Sequence, residues 1–327
     1  GDESEDDTTG EVGDGDEGGE EEKEEEHFSK QIAAVRTKAD ILCFEFHPTR
    51  DMVAAGMVEG TVTFQKYGAE GSEELRGITG KGESCRDMGF STDGLHLYTG
   101  WGDKVLRALN VETGKVVSSW SDHKHPISRL IATDRLVISG DDRGFVKVWD
   151  LRQKDKVLSL KEHEDFITDF IIAKRKQNTV MCASGDGTLT ALHLRKGTLI
   201  AASDNQESEI QSLALVKEEE RLVCGQQDGV LGIFRWDHWG DICDRFPGHP
   251  VSVDTMVTVD EDTILTGGFD GHIRLVSIQP NSFLGIIGSH KYPISRIRFS
   301  RDRMILGSSA HETDVKLWQV GYLFEEG

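Results

Sequence analysis

Four histidines recur at similar places in the chain, and histidine is the residue type best suited to chemistry near neutral pH. Its imidazole titrates near pH 6.5, so it can act as a general base or bind a metal ion. The strings HKHPISRL at 123–130 and HKYPISRI at 290–297 begin with two of these histidines, 167 residues apart. Either chemistry needs a second suitable side chain at a spacing that brings both to one site. The spacing of the histidines therefore shows whether they form a chemical site or have a structural role that repeats along the chain.

The histidines follow a structural repeat and not a ligand spacing. His123, His163, His249 and His290 are each followed four residues later by Ile or Val, and seven residues later by another apolar residue. No pair has zinc-ligand spacing, no Cys-x-x-Cys pair accompanies them, and no complete phosphate-binding loop motif occurs. We therefore expect no metal, no cofactor and no enzymatic activity.

Charge is concentrated at the N-terminus. Residues 1–26 contain 15 acidic side chains and one lysine, whereas the whole chain of 327 residues has 58 acidic and 37 basic residues. Such a segment repels itself and has little apolar surface to bury, so residues 1–27 are predicted to form a disordered acidic tail. Acidic tails of this kind bind basic proteins, such as ribosomal proteins, or increase solubility. The remainder, 28–327, is also acidic, which argues against direct binding of nucleic acid.

Cysteine usage and hydropathy restrict the environment of the protein. The five cysteines are odd in number, which is typical of free thiols in a reducing compartment. No apolar run approaches the roughly 20 residues that a membrane-spanning helix needs, and no secretory signal opens the chain. We therefore expect a protein without a membrane partner.

The elements that position the histidines repeat with a period of 40–44 residues. With Gly144 in VISGDDRGFVKVWD as the reference, equivalent positions fall at Gly60, Lys104, Gly187, Gly229, Gly271 and Thr313. Apolar residues lie two and four places after each position, and a carboxylate precedes six of the seven. This pattern indicates a half-buried strand after a tight turn, in which the carboxylate accepts backbone hydrogen bonds. Four short strands per repeat predict an all-β, seven-bladed propeller.

The repeat resembles the WD-repeat family, in which the third strand of a blade ends in Trp-Asp. Trp149-Asp150 keeps this pair in register, and Trp318 occupies the tryptophan position of the last repeat. Trp236-Asp237 lies two places late and is assigned to the following loop, because Phe234 occupies the tryptophan position.

The resemblance also implies a buried tetrad within a blade, formed by histidine, a hydroxyl residue, the turn aspartate and tryptophan. The candidates are His123, Ser139 and Trp149 in blade three, His249, Thr266 and Asp270 in blade six, and His290, Ser308 and Trp318 in blade seven. No blade holds all four in register. In blade three Arg143 replaces the aspartate, and Asp142 is the candidate to take its place.

A ring of seven blades must also close. After the last predicted strand, which ends near Trp318, the given sequence continues only with VGYLFEEG, so we expect the outer strand of blade seven to come from elsewhere. Residues 28–37, FSKQIAAVRT, have an apolar centre and are predicted to supply the outer strand of blade seven, because this pairing removes an open sheet edge.

Two groups of residues are candidates for binding partners. Trp149, Asp150 and Arg152 resemble the box by which WD-repeat substrate receptors dock on the adaptor of cullin-4 ubiquitin ligases, where the guanidinium fork suits carboxylates. Arg129 and Arg296 lie six places after their histidines, in the strand that lines the channel. They are candidates for binding an acidic partner or for ion pairs between neighbouring blades.

Longer phrases resemble the WD repeat-containing protein 55 family. These phrases are FHPTRDMVAAG at 46–56, ASGDGTL at 183–189, DRF at 244–246, SVDTMV at 252–257 and DGHIRLVSIQPNSFLGIIGSH at 270–290. The resemblance covers residues 38–320 and implies a nucleolar protein that acts in ribosomal RNA processing within pre-ribosomal particles.

The expected protein is thus a monomeric, non-enzymatic scaffold for large-subunit assembly in the nucleus and nucleolus, with the cytoplasm as an alternative location. Its expected partners are pre-ribosomal factors and, through the acidic tail, basic ribosomal proteins. The alternative is a substrate receptor of a cullin-4 ligase that docks through Trp149–Arg152.

Overall fold

Seven four-stranded antiparallel sheets surround a central channel in the computed structural model of the chain. The structure describes residues 29–68, 71–79, 82–152, 156–176, 179–194 and 196–325. The predicted acidic tail, residues 1–27, lies outside the described residues. The seven-bladed, all-β fold predicted from the repeat is confirmed.

Each blade consists of four strands that follow one another from the channel to the circumference. Blade one consists of β2 (Ile41–Phe46), β3 (Met52–Met57), β4 (Thr61–Gly68) and β5 (Gly71–Thr79). Blade two consists of β6 (Cys85–Phe90), β7 (His96–Trp101), β8 (Leu106–Asn110) and β9 (Val116–Trp120). Blade three consists of β10 (Ile127–Ala132), β11 (Leu136–Asp141), β12 (Phe145–Asp150) and β13 (Lys156–Lys161).

The second half of the ring repeats this order. Blade four consists of β14 (Ile167–Ala173), β15 (Thr179–Ser184), β16 (Leu189–His193) and β17 (Thr198–Ala202). Blade five consists of β18 (Ile210–Val216), β19 (Arg221–Gln226), β20 (Leu231–Arg235) and β21 (Asp244–Phe246). Blade six consists of β22 (Val253–Thr258), β23 (Thr263–Gly268), β24 (His272–Ser277) and β25 (Ser282–Ser289). Blade seven consists of β26 (Ile294–Phe299), β27 (Ile305–Ala310), β28 (Asp314–Gln319) and β1 (Gln31–Arg36).

The first and last described strands meet in blade seven. β1 pairs antiparallel with β28, so the N-terminal segment supplies the outer strand, as predicted. The backbone N–H of Ser29 donates to the carbonyl of Ile287 at 2.7 Å, and its hydroxyl lies 2.7 Å from the hydroxyl of Tyr322 in a short 3-10 helix (Gly321–Phe324). These contacts join the segment that begins at Ser29 to blades six and seven and close the ring.

The tight turn between the second and third strands uses the glycine and carboxylate that recur in the sequence. Gly144 has a φ of 76°, and a Cβ there would collide with the carbonyl oxygen of His163. Asp186 accepts a hydrogen bond from the backbone N–H of Thr188 at 2.9 Å. Asp103, Asp228 and Asp270 accept the equivalent bond in their own blades. The role predicted for this carboxylate is confirmed in these four blades.

The core is divided into seven apolar clusters, and each lies between two adjacent blades. Between blades one and two, for example, Cys43 and Phe64 pack with Met88 and Leu97. Each strand alternates its side chains between the two faces of the blade, so one blade alone cannot bury both faces. Burial of apolar surface stabilises the folded state by about 25 cal/mol per Å². In this fold the surface is buried only when the neighbouring blades are in place.

The innermost strand of every blade contains an irregularity between its first and third residues, and in blades two and four the third residue bonds to the next blade. The register shifts between the first and third residues of each strand, as at Ile167 and Asp169. Asp169 Oδ2 accepts a hydrogen bond from the backbone N–H of Leu213 at 2.9 Å, and Asp87 Oδ2 accepts one from Leu130 at 2.7 Å. These bonds between blades hold carboxylates beside the channel.

A membrane-spanning helix is not found in the described part of the chain.

Candidate functional site

The Trp-Asp box lies at the end of β12 in blade three. Trp149 is buried, whereas 66% of the Arg152 side chain is exposed. Arg152 Nε donates to Asp150 Oδ1 at 2.9 Å, and Nη2 donates to Oδ2 at 2.6 Å. The hydrogen bonds from Arg152 lower the pKa of Asp150 to about 2. The guanidinium fork is therefore engaged within the box, and a docking partner must displace Asp150 or use the remaining N–H groups.

Four buried side chains of blade three form a complete hydrogen-bond network. Trp149 Nε1 donates to Ser139 Oγ at 2.8 Å, and the Ser139 hydroxyl donates to Nε2 of His123 at 2.7 Å. This assignment places the imidazole proton on Nδ1, which donates to Asp141 Oδ2 at 2.9 Å. Since each polar group finds a partner, the network joins β11 and β12 to the loop that precedes β10.

The aspartate of this network is not the one expected from the sequence. The prediction that Asp142 substitutes for Arg143 is wrong, because the Asp142 carboxylate pairs with Arg86 of blade two at 2.6 Å. Asp141 takes the role and also accepts a hydrogen bond from the backbone N–H of Arg143 at 3.0 Å. Alternate residues of a strand share a face, so Asp141 lies on the same side as Ser139.

Blade seven contains most of the same network. Trp318 Nε1 donates to Ser308 Oγ at 2.7 Å, and Ser308 lies 2.6 Å from His290 Nε2. Nδ1 of His290 has no hydrogen-bond partner among the described residues, because the nearest oxygen of Glu312 is 3.7 Å away. Burial, with a smaller effect of Lys316, lowers the pKa of His290 to about 3, so the ring is neutral.

Blade six keeps only the pair between histidine and the hydroxyl. His249 Nε2 lies 2.9 Å from Thr266 Oγ1, and Val276 occupies the tryptophan position. Asp270 pairs with Arg274 at 2.6 Å and leaves Nδ1 of His249 without a partner in the described residues. Burial lowers the pKa of His249 to about 4. The three candidate tetrads are thus present to different degrees.

Both candidate arginines of the innermost strands lie in the channel, and both are engaged. Arg296 Nη1 lies 2.5 Å from Asp87 Oδ1, and both side chains are buried. This pair crosses from blade seven to blade two and skips blade one. Arg129 Nε donates to the carbonyl of Thr168 in the adjacent blade four. Burial lowers the pKa of Arg129. Burial also acts to lower the pKa of Arg296, but the nearby carboxylate of Asp87 outweighs it and raises that pKa.

Sequence reasoning missed the carboxylates that accompany these arginines. The third residues of the innermost strands are Cys43, Asp87, Arg129, Asp169, Ser212, Thr255 and Arg296. Six of the seven are polar, although the strand lines the centre of the protein. An alignment of these strands by their register would have found Asp87 and Asp169, whereas the turn motif that defined the repeat does not include them.

Within the described residues no three His, Cys, Asp or Glu side chains are grouped to bind a metal ion. The architecture and the side-chain networks instead define a class. A closed ring of seven four-stranded blades, with Trp-Asp at the end of a third strand and His-Ser-Trp networks, is a WD-repeat propeller, and this class acts as protein-interaction scaffolds.

Comparisons with known proteins identify the family. The WDR55 family model matches residues 32–323. The chain is 36% identical to WD repeat-containing protein 55 of Arabidopsis thaliana over 291 residues, which are 88% of this chain and 82% of that protein. It is 35% identical to the Rattus norvegicus protein of the same name, over 85% of this chain and 73% of that protein.

A fungal relative is similar over the same region. The chain is 33% identical to WD repeat-containing protein JIP5 of Coprinopsis cinerea, over 86% of this chain and 72% of that protein. The chain therefore belongs to the WD repeat-containing protein 55 family, as the sequence phrases indicated.

Proposed function

We propose that this protein is a non-enzymatic scaffold that binds proteins during ribosome production in the nucleolus. Its role is to support ribosomal RNA processing and assembly of the large subunit. The observation that supports this proposal is the match to the WD repeat-containing protein 55 family across all seven blades. The quoted phrases carry the resemblance from which the ribosomal role was inferred.

Charge adds physical support for the class of partner. The chain has a formal charge of −21, and two thirds of that charge lies in residues 1–26. Ribosomal proteins and many assembly factors are basic, so an acidic segment attached to a rigid ring attracts them over about one Debye length, about 8 Å at physiological salt. The ring then offers two faces of loops and a circumference of outer strands for more specific contacts.

Depletion of the protein tests this proposal. We expect precursors of large-subunit ribosomal RNA to accumulate, and we expect re-expression of the intact chain to restore processing. The measurement is a pulse-chase of ribosomal RNA followed by blotting for the precursors. Unchanged precursors after verified depletion would contradict the proposal.

Localisation is a second, independent readout. We expect a fluorescent fusion of the full chain to concentrate in nucleoli and to co-sediment with pre-ribosomal particles as a monomer. A fusion that is confined to the cytoplasm would contradict a nucleolar role.

A second candidate function is supported by one observation. Arg152 is exposed at the edge of blade three, where the docking box of cullin-4 substrate receptors presents its arginine. The test is recovery of the ligase adaptor by pull-down with the Arg152→Ala variant. Arg143→Ala is the matched control, because Arg143 is an exposed arginine in the same blade. Recovery that is lost only with Arg152→Ala favours docking, and equal recovery of adaptor by both variants contradicts it.

A further inference from the structure

The channel widens into a cavity of about 470 Å³ at one face of the ring. This face is the one formed by the loops between first and second strands, since Pro48, Ser91 and Thr92 of those loops line the cavity. A volume of this size is within the range of sites that bind small ligands or single side chains. We call this cavity the channel funnel.

One wall of the channel funnel is apolar. On blades three, four and six it is lined by Ile131, Phe170, Ile171, Met256 and Val257. Ile131, Ile171 and Val257 are half-buried, so their side chains remain accessible from the channel. Apolar walls favour an occupant that has an aliphatic part.

The floor of the channel funnel carries an unequal number of charges. Glu45, Asp87 and Asp169 line it together with Arg296 and Arg298, so carboxylates exceed guanidinium groups by one. Arg296 pairs with Asp87 at 2.5 Å, and Arg298 pairs with Glu45 at 3.2 Å. Both cations of the floor are therefore committed to other carboxylates.

Asp169 is the remaining carboxylate of the lining, and backbone N–H groups hold it in place. Its Oδ1 accepts a hydrogen bond from the backbone N–H of Phe170, and its Oδ2 accepts one from Leu213, both at 2.9 Å. Among the described residues it belongs to no ion pair within 4 Å. Burial raises the pKa of Asp169, although Arg298 and Arg129 act at longer range in the opposite direction. The site is thus a fixed carboxylate whose charge is only partly compensated.

We propose that the channel funnel is a docking site for an arginine side chain of a protein partner, with apolar residues next to that arginine. Its guanidinium group pairs with Asp169, and its aliphatic stem and the flanking residues pack on the apolar wall. Arginine suits this place better than lysine because its guanidinium is less strongly hydrated and its planar fork matches a carboxylate. The proposal assigns a function to a surface that the box at Trp149–Arg152 does not include, and it does not depend on the ribosomal role.

The test uses the full chain and two peptides, Ac-Ala-Leu-Arg-Leu-Ala-NH2 and its counterpart with citrulline in place of arginine. Citrulline has the same shape without the charge. We expect the arginine peptide to shift the methyl resonances of Ile131, Ile171 and Met256 in a saturable manner, and we expect the citrulline peptide to bind about tenfold more weakly or worse. Equal binding of the two peptides, or shifts confined to other methyl groups, would overturn the proposal.

Substitutions locate the binding site. Asp169→Asn should weaken binding of the arginine peptide about tenfold or more. Asp165 is an exposed carboxylate of the same blade, and Asp165→Asn should leave the affinity for the peptide unchanged. Ile171→Lys is a second variant that does not touch the hydrogen bonds of Asp169. It places an ammonium group of the chain itself at the mouth, and we expect it to abolish peptide binding while the melting temperature is retained. A folded Ile171→Lys protein that binds like the wild type would also overturn the proposal.

Discussion

Blades three and five have the same four-stranded fold but fill equivalent positions with different chemistry. In blade three a chain of hydrogen bonds runs from the tryptophan through the serine and the histidine to the aspartate. The corresponding residues of blade five are Gln206, Cys224, Gln226 and Phe234. Gln226 is buried, and neither atom of its amide group has a hydrogen-bond partner in the described residues.

Blade five compensates with apolar packing. Cys224 and Phe234 are buried in a cluster with Trp239, and Trp236 packs against the same cluster. Trp236 and Trp239 contact edge to face at 4.8 Å between ring centroids. These tryptophans belong to the loop after β20, as predicted for Trp236-Asp237. The difference between the blades teaches that the fold requires buried volume at these positions, and that a polar network is only one way to supply it.

The largest difference in stability between blades three and five is expected when Ser139 and the equivalent Cys224 are each changed to alanine. Ser139→Ala removes the only partner of Trp149 Nε1 and of His123 Nε2 in the network, so we expect a loss of about 2–4 kcal/mol in the free energy of unfolding. Cys224→Ala in blade five only leaves a small cavity, and we expect a loss of about 1 kcal/mol. Chemical denaturation measures both. Equal losses would show that the network contributes no more than packing.

The next contrast is in pH dependence. Burial lowers the pKa of His123 from 6.5. Burial alone raises the pKa of Asp141, but the hydrogen bonds from His123 and from backbone N–H groups outweigh it and lower the pKa. Both groups therefore bind protons more readily in the unfolded chain. The stability that His123 contributes is lost as the pH falls below about 6.5, whereas the contribution of Asp141 is lost only below about pH 3.8.

His123→Gln converts this position to the residue type of blade five. The wild type should lose about 1–2 kcal/mol more than this variant between pH 6.5 and 5, because only the wild type must keep His123 uncharged. Denaturation series at several pH values measure the difference, and the other histidines act as an internal control since they are present in both proteins. Parallel pH profiles would contradict the assignment.

A smaller effect of opposite sign is expected at Gln226. Gln226→Met removes an amide without partners and keeps the side-chain volume, so we expect stability to be unchanged or to rise by up to about 1 kcal/mol. Asp141→Leu, the matched change in blade three, should destabilise, because His123 loses its acceptor. Thermal melting compares the two variants. A clear loss with Gln226→Met would indicate that its amide is hydrogen-bonded in solution.

The smallest effect is expected at Arg152. The Arg152 side chain is exposed although its partner Asp150 is buried, and Arg152→Ala should change the free energy of unfolding by less than about 0.5 kcal/mol because water screens the pair at the surface. A measured loss of several kcal/mol would mean that the box stabilises blade three, and the pull-down with this variant would then report folding and not docking.

Much of the fold could be predicted because the repeat is local. The glycine and carboxylate of the turn and the alternating apolar residues lie within about ten residues of each other, so one blade can be recognised from a short window. The closure by residues 28–37 could also be predicted, since this apolar segment precedes blade one and one sheet edge was left open. The choice of Asp141 over Asp142 as the partner of His123 could not be predicted from the sequence. Both residues lie next to the turn, and they differ only in the face of the strand on which the side chain lies.

The sequence by itself determined the number of blades, the positions of their turns and the small, apolar or aromatic character of their buried residues, because short-range backbone geometry and burial impose these on each repeat separately. Only the tertiary structure decided which polar groups meet: Asp141 with His123, Arg296 with Asp87 across the channel, and Asp169 with the backbone N–H of Leu213. The partners are about 20 to 210 residues apart in the chain. Electrostatic and hydrogen-bond contacts depend on distances of a few ångströms, and the closing of the ring sets those distances.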